Sequence, residues 1–158
     1  MIYEKAKIED AKALLELFKA LNKEGAKVSF DFSTDEEMEK WLQDDRCYWY
    51  VARERGTIAG VFRGVRGKKG REHGIIMTAA VVKAYRGKNI AEGLTAHALN
   101  DIRNDNIKIA YAYVYSNNRA SLNTLLNLGF HMAGSVPMHH YDDEKQAYVD
   151  DLILYKKI

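Results

Sequence analysis

The chain has 158 residues, of which 47% are hydrophobic and 29% are charged, and its formal net charge at pH 7 is +2. This length and balance are typical of one globular domain with a proper core, and so small a net charge argues against bulk nucleic-acid binding. The single cysteine, Cys47, excludes an internal disulfide, which fits a reducing compartment. It lies in an apolar run, so we interpret it as a buried thiol and not as a nucleophile.

Neither a leader sequence nor a membrane span is indicated by the hydropathy of the chain. The first residues do not combine a basic segment with an apolar core, and no apolar run approaches the length of a spanning helix. We therefore expect a cytoplasmic protein without membrane contacts.

The first predicted elements are a short strand and an amphipathic helix. Weak alternation of apolar and polar residues predicts the strand over residues 2–8. A helix follows, because five apolar residues share one helical stripe. They are Ala11, Leu14, Leu15, Phe18 and Leu21. Residues 22–33 contain Gly25 and have mixed polarity, which indicates a loop.

A second helix and a strand hairpin follow this loop. The segment 33–37 combines hydroxyl residues with acidic ones, which is typical of a helix N-terminus. Met38 and the apolar residues after it give this helix one apolar face. Residues 46–54 and 57–65 predict two strands joined by a tight turn.

The second half of the chain alternates strands with helices. A glycine-rich turn leads into a long predicted strand at 72–83. The helix predicted after it, over about 89–104, has one apolar side. This side carries Ile90, Leu94, Ala98 and Ile102. A strand at 107–115 and a short helix at 118–128 come next.

Two final strands, at about 130–140 and 146–156, complete the predicted order β-α-α-β-β-β-α-β-α-β-β. This order predicts an α/β (α+β) protein with a mixed sheet and helices on its faces. No linker or repeat divides the sequence, so we treat residues 1–158 as a single domain.

The most informative segment is the basic turn (residues 86–91), which joins the long strand to the helix after it. Such a turn directs backbone N–H groups at one point, and the positive end of the helix dipole lies at the same place. Arg86 and Lys88 add full charges. The segment therefore predicts a site for a phosphate or pyrophosphate, although it could also be an ordinary basic turn.

A second motif surrounds the short helix at 118–128. Asn118 and Ser121 stand at its start, and the tripeptide 128–130 (Leu-Gly-Phe) stands at its end. Asn118 suits an N-cap and Gly129 suits the first residue after the helix. Both residues could therefore serve only to end the helix.

The two motifs, in this order and at this separation, resemble those of the GNAT superfamily of N-acetyltransferases over essentially the whole chain. The family signature is Arg or Gln, two residues, Gly, one residue, and Gly or Ala. Arg86 and Ala91 match it, whereas Asn89 stands at the first glycine position. Asn is the residue that, after Gly, best tolerates a left-handed backbone.

The resemblance implies a mainly antiparallel central sheet of about seven strands with about four helices. It also implies acetyl-CoA as co-substrate, with the pyrophosphate at the basic turn and the pantetheine arm beside Asn118 and the end of the long strand. The cofactor-binding residues that it implies are Ala79, Val81, Arg86, Gly87, Lys88, Asn89, Ile90, Ala91, Asn118 and Ser121.

The activity implied by the resemblance is transfer of an acetyl group to a primary amine, by direct attack in a ternary complex. An acyl-CoA-binding protein without turnover, a sensor or interaction module, is the alternative. This alternative stays open because Leu125 occupies the position where many relatives carry the tyrosine that acts as the general acid. The general acid and base are unknown from sequence.

The candidates for a catalytic group are Thr78, Tyr113, Tyr115 and Glu72. Thr78 and Glu72 lie on the predicted strand before the basic turn. Tyr111, Tyr113 and Tyr115 alternate along one strand and share a face, which more often indicates core packing.

His139 and His140 stand near acidic residues, but adjacent strand residues face opposite sides, so we expect no metal site.

Two groups of charges remain. Arg63, Arg66, Lys68, Lys69 and Arg71 predict a basic hairpin, either solvated or in contact with an acidic partner, far from the basic turn. Acidic residues concentrate at Asp31, 35–37, 142–144 and 150–151. The resemblance implies that some of these flank the acceptor, where they would attract a small-molecule or peptide amine. The apolar terminal strands are also compatible with a homodimer.

Overall fold

A computed structural model describes residues 1–26 and 33–158 of the chain. Part of the predicted loop 22–33, together with Asp31, lies outside these described residues.

The described residues form seven strands and four α-helices, which we number in chain order. The strands are β1 (Ile2–Lys5), β2 (Cys47–Glu54), β3 (Thr57–Arg66), β4 (Gly74–Val81), β5 (Ile109–Tyr115), β6 (His131–Asp142) and β7 (Ala147–Lys157). The helices are α1 (Ala11–Lys23), α2 (Asp35–Gln43), α3 (Ile90–Ile102) and α4 (Arg119–Asn127). Short 3₁₀ segments lie at Ile8–Asp10, Lys83–Tyr85 and Arg103–Asp105.

The predicted order of strands and helices is confirmed, and the differences lie at their ends. The first strand stops at Lys5, because a 3₁₀ turn follows it. The long strand begins at Gly74 and not at residue 72, since residues 72 and 73 belong to a turn. Residues 83–85 form a 3₁₀ segment after this strand.

The seven strands form one sheet in the order β1-β2-β3-β4-β5-β7-β6. Neighbouring strands are antiparallel except β4 and β5, which are parallel. The β4–β5 ladder ends at the pair Met77–Ala112, although β4 continues to Val81 and β5 continues to Tyr115. The two strands therefore separate toward their carboxyl ends, and a cleft opens in the middle of the sheet.

Two apolar clusters hold the helices on opposite faces of the sheet. Alternate residues of β2 point to different clusters: Tyr50 packs with residues of α3, whereas Trp49 packs with α1 and α2. All five predicted stripe residues of α1 are buried, as are the four on the apolar side of α3. The Tyr50 hydroxyl donates a hydrogen bond to the Asp101 carboxylate and so ties β2 to α3.

Side-chain caps mark the start of two helices, α2 and α4. The side chain of Thr34 accepts a hydrogen bond from the Glu37 N–H at 3.2 Å, which confirms the predicted start of α2.

Within the described residues, no helix combines the length and apolar character needed to cross a bilayer.

Candidate active-site cleft

The cleft between the separating ends of β4 and β5 has a volume of about 870 Å³. Residues of both strands line it, together with residues of α1, α3, α4 and the β6–β7 pair. A cleft of this size at the carboxyl ends of two parallel strands is a common place for a ligand. We call it the central cleft.

The basic turn forms one end of the central cleft and has the predicted left-handed geometry. Gly87 has a φ of 78° and Asn89 has a φ of 56°. Asn89 is also the N-cap of α3, so the amide N–H groups of the first helical turn have no partner inside the helix. Asn therefore occupies the glycine position in the left-handed conformation expected of it, and the turn keeps its anion-binding geometry.

Arg86 is held in place at this end by two contacts. Its Nε donates to the Val81 carbonyl at 2.9 Å, and its terminal nitrogen lies 2.7 Å from a carboxylate oxygen of Glu24. The Glu24 carboxylate also accepts the backbone N–H of Lys83 at 3.2 Å. Arg86 thus connects β4 and α1 to the basic turn, and its charge faces both the cleft and a carboxylate.

The second predicted motif lies across the cleft from β4. The Asn118 side-chain oxygen accepts a hydrogen bond from the Ser121 N–H at 3.2 Å, so Asn118 is the N-cap of α4. Gly129 ends this helix with a φ of 82°. Asn118, Ser121 and the buried side chain of Leu125 all line the central cleft. Leu125 is therefore an apolar part of the cleft wall.

The structure brings nine of the ten predicted cofactor-binding residues together. Ala79, Val81, Arg86, Gly87, Asn89, Ile90, Ala91, Asn118 and Ser121 line the central cleft. Lys88 is not part of this lining, and its ammonium lies 5.3 Å from the centre of the Tyr85 ring. Of the two predicted charges, therefore, only that of Arg86 belongs to the cleft lining.

Three of the four catalytic candidates also line the central cleft: Thr78, Tyr113 and Tyr115. Glu72 lies in the exposed turn before β4, at the opposite end of that strand, and is not in the lining. Its placement on the strand was wrong, because the strand begins only at Gly74.

The prediction that the alternating tyrosines pack in the core was also wrong. The buried residues of β5 are Ala110, Ala112 and Val114, which face the apolar cluster of α3 and α4. The tyrosines take the other face, where Tyr113 is 48% exposed.

Arg63 belongs to the central cleft and not to the basic hairpin with which its sequence position grouped it. It stands in β3 opposite Thr78, lines the cleft, and lies 5.8 Å from the centre of the Trp49 ring. Burial lowers the pKa of Arg63, although a guanidinium stays charged at any ordinary pH. The strand register decides this placement, and the sequence pattern alone carried no signal for it.

A cluster of His139, His140 and Asp151 lines the other end of the cleft, and sequence reasoning missed it. The expectation that the two histidines face opposite sides was wrong, because β6 is irregular between Val136 and His140. Each of the three side chains has one nitrogen or oxygen of the kind that binds metal ions, and these three atoms lie within 4.8 Å of one another. Pro137 was the available signal, since proline inside a strand is typical of a bulge.

The remaining acidic residues are mostly engaged in local structure. The Asp142 carboxylate accepts hydrogen bonds from Asn117 at 2.6 Å and from the Glu144 N–H at 3.1 Å, which closes the β6–β7 turn. Asp150 accepts the Met138 N–H at 2.9 Å. Asp142, Asp143 and Glu144 also line a small pocket beside Tyr115. Of the predicted acidic group, Asp151 alone among the described residues lines the central cleft.

Cys47 lies outside the cleft lining, and burial raises the pKa of its thiol to about 11, with the Asp44 carboxylate adding to the rise. Since the thiolate is the reactive form, alkylation at pH 7–8 should be roughly 100-fold slower than for a cysteine whose pKa has its ordinary value of 9.0, and its rate should rise with pH up to about 11. The rate of iodoacetamide labelling, followed by mass spectrometry, measures this. Equal rates for the native protein and for protein in urea would contradict it.

The profile of the Acetyltransferase (GNAT) family matches residues 12–130 of this sequence. The chain belongs to the GNAT acetyltransferase family. The matched range begins in α1 and ends after α4, so it includes the basic turn and the Asn118 motif. No curated protein sequence is significantly similar to the chain.

Solved structures of GNAT proteins have the same fold over nearly the whole chain. A GNAT acetyltransferase from Streptococcus pneumoniae has a TM-score of 0.90 at 22% identity, covering 99% of this chain and 98% of its own. A ribosomal-protein-alanine N-acetyltransferase from Brucella melitensis has a TM-score of 0.87 at 20% identity, with 100% of both chains covered. The protein yncA from Salmonella typhimurium, solved with its cofactor acetyl-CoA, has a TM-score of 0.87 at 18% identity, covering 99% of this chain and 93% of its own. At these identities the likeness is one of fold.

Proposed function

We propose that this GNAT protein is an acetyl-CoA-dependent N-acetyltransferase that acts on a primary amine by direct attack in a ternary complex. The observation that carries the proposal is the central cleft itself. It joins an anion-binding turn at one end to a polar end with Thr78, Tyr115 and the histidine cluster. A GNAT neighbour solved with acetyl-CoA supports the choice of co-substrate.

The residues present fit acetyl-CoA. The backbone at Gly87 is left-handed, and a Cβ built there would meet nothing within 4 Å, so the turn has open space beside its amides. Those amides and Arg86 would hold the pyrophosphate. The edge of β4 beyond Met77 lies free of the β5 ladder, so its backbone groups at 79–81 would hold the pantetheine amides as an added strand does. Asn118 and Ser121 would form the opposite wall.

Bound acetyl-CoA supplies an acetyl group as a thioester, and the protein must supply a neutral amine. An alkyl amine has a pKa of about 10.4, so most of it carries a proton at pH 7. A base at the polar end of the cleft is therefore required, and a carboxylate there favours entry of the cationic form. Asp151 is such a carboxylate, with its side chain only 12% exposed.

The alternative, an acyl-CoA-binding GNAT protein without turnover, is favoured by the buried apolar Leu125 in place of a tyrosine. Release of free thiol from acetyl-CoA over a panel of polyamines, amino acids, aminoglycosides and peptides separates the two. Thiol release with any amine supports transfer. Binding of acetyl-CoA with no release on the whole panel supports the sensor.

Acetyl-CoA should stabilise the folded protein, because a ligand bound only by the native state adds about 2.7 kcal/mol at a hundred times its dissociation constant. For a domain of this size, this corresponds to a rise in melting temperature of roughly 5–10 °C. Differential scanning fluorimetry with millimolar acetyl-CoA and CoA measures it. No shift with either compound would contradict binding at the central cleft.

We place this activity in the cytoplasm, to which the single, unpaired cysteine is suited.

We also propose a homodimer formed along β6, one of the two edge strands of the sheet. Met132, Val136 and Met138 of this strand are exposed, which supports an apolar contact there. Light scattering at micromolar concentration would reveal a monomer if this proposal is wrong.

A further inference from the structure

The strand β6 contains a bulge that turns two consecutive histidines toward the central cleft. Val136 pairs with Asp151 and His140 pairs with Val149, so three residues of β6 stand opposite one residue of β7. Met138 in this bulge has a φ of 50°, and its N–H donates to the Asp150 carboxylate at 2.9 Å. A bulge of this kind re-aims side chains, and it is a common device beside active sites.

The bulge places His139 against a buried carboxylate. Its Nδ1 lies 3.3 Å from Oδ2 of Asp151, while the His139 side chain is 49% exposed and that of Asp151 is 12% exposed. Asp151 stands directly opposite Tyr115 in the β5–β7 ladder, so its backbone is held by the sheet. One nitrogen of His139 thus faces the Asp151 carboxylate, and its Nε2 is on the far side of the ring.

His140 packs beside this pair and restricts the ring of His139. The two rings are 4.5 Å apart between centres. His140 in turn stacks on Tyr115 at 4.4 Å, with its Nδ1 3.5 Å from the Tyr115 hydroxyl and its Nε2 3.9 Å from Asp151. The charged and titratable groups around His139 are therefore Asp151 from β7, Tyr115 from β5 and His140 from its own strand. Arg63 from β3 and Tyr113 from β5 line the same cleft.

We propose that His139 is the general base of this acetyltransferase and that Asp151 is its positioning residue. This inference rests on the acetyl transfer proposed above. Neutral imidazole accepts a proton near neutral pH, and a carboxylate at Nδ1 keeps the proton on that nitrogen and leaves Nε2 as the acceptor. Contacts of this kind are often long before the substrate is bound.

The transfer balances without a further reactant. The amine nitrogen gives its lone pair to the thioester carbonyl carbon, a carbon–nitrogen bond forms and the carbon–sulfur bond breaks. The electron pair of that bond leaves on the CoA sulfur as thiolate. Two protons leave the nitrogen in all. The ammonium gives the first to Nε2 of His139, directly or through one water, before the attack, and the imidazole passes it to solvent. The second leaves the nitrogen as the amide forms and passes to the thiolate or to solvent.

Replacing His139 with glutamine tests this role, and His131→Gln is the matched control. His131 lies on the same strand, is exposed, stacks on Tyr155 and is outside the cleft lining. We expect kcat of His139→Gln to fall by about 100- to 10,000-fold with an unchanged dissociation constant for acetyl-CoA and an unchanged melting temperature. Added imidazole should restore part of the rate to His139→Ala but not to His131→Ala.

Asp151→Asn tests the positioning role, since it keeps the side-chain shape but removes the charge. We expect a fall in kcat without a matching loss of acetyl-CoA affinity, and partial recovery in Asp151→Glu. An Asp151→Asn protein with parental kcat would overturn the assignment of Asp151.

Four results would overturn the base assignment or the function beneath it. His139→Gln with the parental rate and pH profile, on an active parent, shows that another group is the base. Equal losses of kcat in His139→Gln and His131→Gln show that activity depends on the integrity of β6 and not on the His139 imidazole. Loss of parental activity in EDTA with recovery in Zn²⁺ shows that the cluster holds a metal. An inactive parent across the whole amine panel overturns the proposed function itself, and the base role with it.

Discussion

Replacing Arg86 with glutamate is expected to weaken acetyl-CoA binding by about 2–3 kcal/mol, or roughly 30- to 150-fold in dissociation constant. The guanidinium already lies 2.7 Å from the Glu24 carboxylate at the end of the cleft where the pyrophosphate is proposed to bind. The substitution turns an attraction for the pyrophosphate into a repulsion and sets a second carboxylate beside the first. Isothermal titration calorimetry at fixed ionic strength measures the change.

Lys88→Glu is the matched control for this prediction, because it makes the same change in charge two residues further on. Lys88 is not part of the cleft lining, so we expect a distinctly smaller loss of affinity. Its remaining effect should decrease as salt is added, since exposed charges are screened. If both variants lose the same acetyl-CoA affinity, or if Arg86→Glu binds acetyl-CoA as tightly as the parent, the pyrophosphate binds elsewhere.

Substitutions at Asn118 should separate its structural role from its role in binding. Asn118→Ala removes the N-cap of α4, which accepts a hydrogen bond from Ser121, and should cost about 1 kcal/mol of stability, or roughly 2–4 °C in melting temperature. The same variant loses the amide that faces the cleft, so acetyl-CoA affinity should fall as well.

Asn118→Asp is the informative partner, because aspartate caps a helix as well as asparagine does. We expect parental stability but weaker acetyl-CoA binding, since a negative charge replaces an amide in the wall of the cleft. Thermal melting and calorimetry on both variants distinguish the outcomes. If Asn118→Asp binds acetyl-CoA like the parent, Asn118 is only a helix cap.

The features that were predictable from sequence depend on residues close together along the chain. The stripe of α1 and the apolar side of α3 follow from helical periodicity, and Phe18 and Leu94 are buried as predicted. Caps act within one helical turn, so Thr34 and Asn118 were recognisable from their neighbours. The left-handed Asn89 follows from the tolerance of asparagine for positive φ. These local rules, together with the GNAT resemblance, found nine residues that line the central cleft.

The half of the cleft that carries Arg63, Tyr113 and Tyr115 depends on which strands pair and in what register. Alternation showed that Tyr113 and Tyr115 share one face of β5. Only the packing of α3 and α4 on the opposite face decided which of the two faces is buried in the core. Arg63 reaches the cleft because β3 pairs with β4 at Thr78, which no local pattern contains.

The histidine cluster shows most clearly what the sequence determined and what it left to the tertiary structure. The sequence placed His139 and His140 on a terminal strand, and strand geometry by itself sets adjacent side chains on opposite faces. The β6–β7 pairing inserts a bulge between Val136 and His140, which includes Pro137, and this extra length turns both rings toward Asp151. Local periodicity and capping therefore determined the helices, the strands and the left-handed turn before α3. The pairing of distant strands decided where the cleft opens and that His139 faces Asp151 in it.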